Sequence, residues 1–387
     1  MLTSTCCLVF VASFAASAFA TPSQIPLKGS SRHFDVQAHR GGRGNTVENL
    51  LPAFAWALID GATTLELDNG ITKVSRSQYK SAQRLTCFVK DGEVVVWHDE
   101  EIVAEKCLDT APAFESDPDF PYVGKTIANL TLAQLRTLDC GSTRQIDFPL
   151  QLVYPRTKIS TLQEVFDFVE CADPEYRILW NIESKINPVN PNKTRSVNDF
   201  VTKQHEIFVK SPYKHSITFQ SFDWRSLVAM KALDRTMITS ALIDAETAIM
   251  PDNSTSPWLA GLRLDEFEGE SLGEQVAHAA HTINADILSP ADMASEDSPD
   301  PAMNGYVPFT SKAMVDRAHD IGLLVKPWTV NRQSVAEQLL DMGVDGIITD
   351  YPNVIRRLVQ QKQLPVAPKY PKKRVLECLN RHVQIHV

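Results

Sequence analysis

The sequence predicts a (β/α)8 TIM barrel, eight parallel strands ringed by helices, with a subdomain inserted into one loop. Three observations lead there. Short β-rich apolar runs alternate with longer helical patterns through most of the chain, the signature of a parallel sheet with helices outside. Nine strand candidates reduce to eight parallel strands once "TTLELD" and "EVVVWH" pair as a hairpin, which leaves one return strand. The length of 387 residues suits a single barrel with insertions. An open doubly wound sheet is the alternative; no Gly-x-Gly-x-x-Gly follows a strand, so its dinucleotide-binding form has no support.

Taken in order, the chain opens with "MLTSTCCLVFVASFAASAFATPSQ", an uncharged apolar run with Ala18 and Ala20 in the spacing read by signal peptidase. Residues 1–20 are therefore expected to be a signal peptide and 21–362 the barrel. A membrane anchor is the weaker reading, because a spanning helix wants about 20 mostly apolar residues and this run is short and broken by Ser and Thr. Strands are expected at "VQAH", "TTLELD", "EVVVWH", "RILWNIES", "SITFQS", "MITSALI", "ADILSP", "LLVKPWTV" and "GIITD", and helices at "TVENLLPAFAWALIDG", "TLQEVFDFVECA", "DWRSLVAMKAL", "TSKAMVDRAHDIG" and "SVAEQLLDMG". Several of the helices close on Gly, a common stop. Residues 100–160, rich in Asp, Pro and Thr, interrupt the alternation after His98 and are read as a subdomain over one barrel mouth. The loop-rich "PADMASEDSPDPAMNGYVPF" is expected on the same surface, and residues 363–387, with "PKYPKKR", as a solvated tail.

Secretion fits two further features: sequons at Asn129, Asn192 and Asn253, and cysteines that an oxidising compartment would pair. Five cysteines remain once the signal is removed, an odd number. A formal charge of −9 without a sustained basic face argues against a nucleic-acid partner, and no later segment is long and apolar enough for stable membrane insertion.

Barrel enzymes gather their working groups at the C-terminal ends of strands. Here those ends carry His39 and Arg40, Glu66 and Asp68, His98, Glu183 with Lys185, Gln220 and Trp328. Glu66 and Asp68 share a strand face, and with Glu183 they make an all-oxygen set suited to Mg²⁺ or Ca²⁺ rather than zinc. His39 and His98 form a proton-transfer pair, and Arg40 and Lys185 would hold an anion beside the metal. Each residue alone has a plain structural explanation; together they make a site for a phosphate ester. Carbohydrate hydrolysis would need a carboxylic acid pair without a metal, and flanking cations would not serve it.

The segments "AHRGGRGNTVENLLPAFAWALIDGATTLELD", "ITK", "DGEVVVWHDE", "WNIESK", "TFQSFD", "KPWTVNR" and "GVDGIITDYP" resemble the glycerophosphodiester phosphodiesterase family over about residues 36–355. The resemblance implies metal-dependent cleavage of small-molecule glycerophosphodiesters to glycerol 3-phosphate and an alcohol. It implies His39 and His98 as the acid/base pair, Glu66, Asp68 and Glu183 as metal ligands, and Arg40, Lys185 and Trp328 as substrate contacts. Two alternatives stand beside it. A phospholipase-like enzyme would want an exposed apolar rim, and no membrane-inserting loop is evident in the sequence. A non-catalytic barrel binding protein would be expected to lack one of the motif acids or histidines, and none is missing.

One departure from the family pattern stands out. Residues 74–90, "VSRSQYKSAQRLTCFVK", separate "ITK" from "DGE", which the family joins directly. The hypothesis is that they are a translated intron: Val74-Ser75 is encodable as a splice donor, Leu85-Thr86 as a branch sequence, and Lys90 as an acceptor end. Removing them also removes Cys87 and leaves four cysteines, Cys107, Cys140, Cys171 and Cys378, with Cys107–Cys140 the favoured pair because both lie in the insertion. Spliced transcripts that retain these codons as the dominant form would refute it.

Overall fold

The computed structural model describes residues 33–73, 92–294 and 303–383. The strands are β1 (Asp35–Ala38), β2 (Thr64–Ile71), β3 (Val94–Val96), β4 (Leu179–Ser184), β5 (Ile217–Ser221), β6 (Ile238–Ile243), β7 (Ile287–Pro290), β8 (Leu324–Val325) and β9 (Gly346–Thr349). Eight run parallel in the order β8-β7-β6-β5-β4-β2-β1-β9, and β3 alone returns antiparallel along β2. Backbone hydrogen bonds from Val330 N to Ile348 O and from Ile348 N to Pro327 O, both 2.9 Å, join the chain after β8 to β9. The result is a nearly closed barrel of the expected class.

Strand alternation divides the side chains between two environments. On β2 and β4 the outward set Leu65, Leu67, Trp180 and Ile182 is fully buried under the helices. The inward set Thr64, Glu66, Asp68, Asn181 and Glu183 is polar. The barrel floor is accordingly a hydrogen-bonded network. Asp35 accepts from Lys326, Gln37 and Thr64, and Asn181 bridges Gln37 and Gln220 at 2.8 Å each. Hydrogen bonding is what makes a buried polar layer tolerable, and this one links the inner faces of β1, β2, β4 and β5 with Lys326 at the end of β8.

The first long helix, Leu51–Asp60, starts later than the pattern "TVENLLPAFAWALIDG" suggested. Pro52 sits in its first turn, where a missing N–H costs nothing, and Gly61 ends it at φ 85°. Residues 46–50 instead form a loop that delivers Glu48 and Asn49 to the barrel mouth. Helix Leu162–Ala172 begins with a capping box between Thr161 and Glu164. Residues 372–383, read from the sequence as part of a solvated tail, are a helix instead: Val375, Cys378 and Leu379 are buried, and Cys378 is disulfide-bonded to Cys171. Among the described residues no helix is long and apolar enough to cross a membrane.

The insertion has its own core, separate from the barrel's. Val95 and Trp97 of the return strand pack with Ile102, Tyr122, Ile127, Leu130, Leu135, Leu138 and Ile159 around the Cys107–Cys140 disulfide. Part of "PADMASEDSPDPAMNGYVPF" is described, with Ala291 bridged to Trp328 and Met293 to Pro308; the rest falls outside the described residues, as do residues 1–20 and 74–90.

The flanks of residues 74–90 do bear on how the hairpin closes. Ile71 pairs with Val94, Thr72 N donates to Glu93 O at 3.0 Å, and Gly92 has φ 102°. A Lys73-Asp91-Gly92 connection would make a three-residue hairpin loop with its glycine at the positive-φ position that such loops favour. A chain lacking residues 74–90 is therefore expected to fold with a Tm at or above that of the full chain, followed by circular dichroism. Aggregation or a large drop in Tm would instead give those residues a structural role.

Candidate active site

The β2–β4 register sets Glu66 opposite Asn181 and Asp68 opposite Glu183, so three carboxylates rise on neighbouring inward positions. Carboxylate oxygens of Glu66, Asp68 and Glu183 lie within 4.8 Å of one another, and all three residues are buried. Asp68 Oδ1 is buried with no hydrogen-bond partner, and Lys185 Nζ stands 3.9 Å from it. An orphaned anionic oxygen in an all-oxygen cluster fits a hard divalent cation.

The chain after β1 supplies the compensating charge. Arg40 adopts φ 51°, a left-handed conformation that turns its N–H onto Glu66 Oε2 at 2.7 Å. Its guanidinium reaches Glu48 at 3.1 Å and Asp68 at 3.4 Å. Gly41 follows at φ 78°, and a Cβ there would lie 2.8 Å from that of Ala53, so the turn requires glycine. Asn49 donates to Asp68 Oδ2 at 2.8 Å.

His39 Nδ1 lies 2.6 Å from Asp350 Oδ1. The buried Asp350 also accepts from Arg43 at 2.9 Å and Asn331 at 2.6 Å. Nδ1 thus donates to Asp350, which leaves Nε2 for chemistry. On the other flank Lys185 Nζ lies 3.1 Å from His98 Nε2 and 2.8 Å from Glu183. An ammonium only donates, so His98 Nε2 is the unprotonated nitrogen, and Nδ1 donates to Asp99 at 3.1 Å. Lys106, from the insertion, spans Asp99 at 2.6 Å and Glu48 at 2.8 Å. It thereby ties the partner of one histidine to the partner of Arg40.

Burial pushes His98 well below the usual imidazole range, and repulsion from Arg40 and Lys185 adds to it. His39 is lowered by burial against the pull of Asp350. Burial, with repulsion from Asp68 and Glu183, raises Glu66 well above an ordinary carboxyl. Glu183 is pushed up to about 7, mainly by burial, against Lys185. Burial also opposes ionisation of Asp68, but His98, Arg40 and Lys185 outweigh it and hold that carboxyl low.

The structure brings together His39, Arg40, Glu66, Asp68, His98, Glu183 and Lys185. Trp328 stands one ring further out: its indole N–H donates to Ser289 O at 2.8 Å, and its ring meets Phe222 edge-on at 5.2 Å. Phe222 in turn lies under Lys185, 5.7 Å from ring centroid to Nζ. A cleft of about 400 Å³ runs out from His98, Glu183 and Lys185 between Val103, Phe222 and Trp258. Sequence reasoning missed Glu48, Asn49, Asp99, Lys106 and Asp350. Asp350 ends β9 and follows the same strand-end rule as the rest, so that rule would have found it; Lys106 carries no motif.

These features set a stability trend for the metal-free chain. A carboxyl with a raised pKa binds more protons folded than unfolded, so stability is lost as pH rises from the ordinary 4.5 through about 7 for Glu183, with Glu66 adding in the same direction. The lowered Asp68, Glu48 and Asp350 titrate below that window and leave the trend unchanged, whereas the lowered His39 and His98 oppose it up to their ordinary 6.5, so the carboxyl trend is read above pH 7. Chelator-treated protein is expected to melt at lower temperature at pH 9 than at pH 7. Glu66→Gln should recover about 2–4 °C at pH 8, read by calorimetry; a Tm that climbs with pH through this window would contradict the charge assignment.

A model of the glycerophosphoryl diester phosphodiesterase family matches residues 88–354. A glycerophosphodiester phosphodiesterase of Bacillus subtilis strain 168 is 26% identical over 325 residues, covering 83% of this chain and 85% of its own. A Silicibacter pomeroyi crystal structure superposes with a TM-score of 0.64 at 23% identity over 88% of this chain and 98% of its own. An Oleispira antarctica phosphodiesterase, solved in complex with the product sn-glycerol-3-phosphate, superposes with a TM-score of 0.55 at 19% identity over 85% of this chain and 97% of its own. At those identities the two structures speak for the fold.

Proposed function

This chain belongs to the glycerophosphoryl diester phosphodiesterase family, and from that premise we propose that it cleaves glycerophosphodiesters to glycerol 3-phosphate and an alcohol using a divalent cation and two histidines. The observation that carries the reading is the buried triad Glu66, Asp68 and Glu183 with its unpartnered Asp68 oxygen, set between His39 and His98 and flanked by Arg40 and Lys185.

Glu66, Asp68 and Glu183 would hold the cation, Ca²⁺ or Mg²⁺. When bound, it supplies positive charge against the phosphoryl oxygens. Arg40 and Lys185 bind the same phosphoryl group from either side, and their carboxylate partners keep both cations in place before substrate arrives. His98, neutral and below its ordinary pKa, takes a proton from the attacking oxygen, which is either water, giving glycerol 3-phosphate directly, or a glycerol hydroxyl, giving a cyclic phosphate that water then opens. His39, with Asp350 behind Nδ1, is the better proton carrier and gives one to the departing alcohol oxygen. Phe222 and Trp258 line the cleft beside Lys185 and exclude water from that wall. Trp328 reaches this wall through Phe222. A secreted setting is part of the proposal: two disulfides suit an oxidising compartment, and Asn129, Asn192 and Asn253 are all exposed.

Release of glycerol phosphate from a glycerophosphodiester should stop on chelation and return with Ca²⁺ or Mg²⁺. Undiminished turnover in chelator would overturn the metal part of the reading. His98→Asn should lower kcat about 100-fold or more, within the range that general acid–base catalysis supplies, with little change in Tm. Lys106→Met should cost about 10-fold in kcat with a smaller effect on KM, the size seen when a group that orients a working residue is lost. Lys106→Arg should restore much of that activity, and equal loss in both variants would reduce Lys106 to a packing residue.

A further inference from the structure

In the insertion, Tyr154 N donates to Gly141 O at 2.8 Å and closes a neck from which the chain makes an excursion into solvent. The approach is so close that a Cβ on Gly141 would fall 2.0 Å from Tyr154 O. At the far side Ile146 is 92% and Leu150 83% exposed. Isolated exposed aliphatics are ordinary, but two at this level within five residues are not. Nor is the loop held loosely. Gln151 is buried at its centre; it accepts from Gln145 N at 3.0 Å and donates to Arg43 O at 2.6 Å, and Leu152 N donates to Asn45 O at 2.8 Å. Phe148 lies under the Arg43 guanidinium at 4.9 Å. The aliphatic tips are therefore presented by an ordered loop, and among the described residues nothing covers them.

The loop stands at the catalytic mouth. Gln145 donates to Glu48, which pairs with Arg40 and Lys106, and Arg43 donates to Asp350, the partner of His39. Its flanks are cationic: Arg144 and Arg156 are exposed, against the single acid Asp147, although the whole chain is formally −9. Two protruding tips on a narrow neck offer little of the roughly 800 Å² per partner that a protein interface needs. An anionic lipid surface matches both features, because it accepts separate aliphatic side chains and attracts the arginines beside them.

We propose that residues 145–152 are a lipid-docking loop that sets the barrel mouth on a surface of anionic phospholipid. The site would then draw diesters presented at that surface as well as soluble ones. The sequence alone offered no such loop, because Ile146 and Leu150 are separated by Asp147 and Pro149 and show no apolar run. Docking stands without the catalytic reading, whereas its consequence for substrate rests on it.

The test uses the full chain and I146S/L150S, whose altered side chains are exposed and should leave the Tm unchanged. Flotation with vesicles of phosphatidylcholine and phosphatidylserine should carry the parent chain, and the variant should bind about tenfold or more weakly. Turnover of soluble glycerophosphocholine should be equal in the two proteins, while turnover of a lysophospholipid diester held in the same vesicles should fall in the variant. Absence of flotation by the parent, or equal flotation of the variant, overturns the proposal. So does sedimentation showing a parent dimer that the variant loses without any vesicle binding, which would assign the loop to a second copy of the chain. A chain that floats but hydrolyses neither diester would retain the docking loop and sink the phosphodiesterase reading.

Discussion

The parallel pairing of β2 with β4 places Asp68 beside Glu183 with Glu66 one inward position below, and much of the barrel mouth answers that placement. Three carboxylates removed from water and from one another's reach by less than 5 Å cannot all ionise unless cations are near. Two arrive from opposite sides: Arg40 after β1 and Lys185 after β4. Arg40 is itself buried and needs a further anion, and Glu48 takes that part. A shell of alternating charge follows directly from one register.

The shell does not close within the barrel. Glu48 is shared with Lys106 and Gln145, and Asp99 depends on Lys106, so the insertion completes an electrostatic network that begins on β2. The network explains why the insertion needs a core and a disulfide of its own. A lysine that spans two carboxylates must be held to within hydrogen-bond reach of both, and a segment of irregular structure without buried apolar area could not keep it there. The same braced platform carries the exposed loop at residues 145–152.

The strands and the three acids were legible from sequence because a period of two, read against strand-end position, specifies both facing and height. The Cys107–Cys140 pair was legible from placement in one segment, and Cys171–Cys378 then follows among the remaining cysteines. What escaped had no periodic signal. "TVENLL" reads as the start of a helix by composition, and only Pro52 hints that the helix begins later, with Glu48 and Asn49 set aside for the site. The C-terminal helix reads as a basic tail because its buried residues, Val375, Cys378 and Leu379, are few among cations. Lys106 is one lysine in a polar stretch, and its role comes wholly from a long-range approach to Glu48.

The two histidines share a residue type and a barrel mouth, yet their surroundings separate them. His39 is buried and His98 half-buried, and desolvation alone would leave both neutral. His39 has a buried carboxylate directly against Nδ1, while the carboxylate beside His98 is partly exposed and shared with Lys106. His98 also has an ammonium against Nε2, so protonation there would set two cations at 3.1 Å with Arg40 nearby. A proton therefore rests more easily on His39 than on His98. Environment, rather than sequence order or distance from the acids, is what makes the two histidines unlike each other.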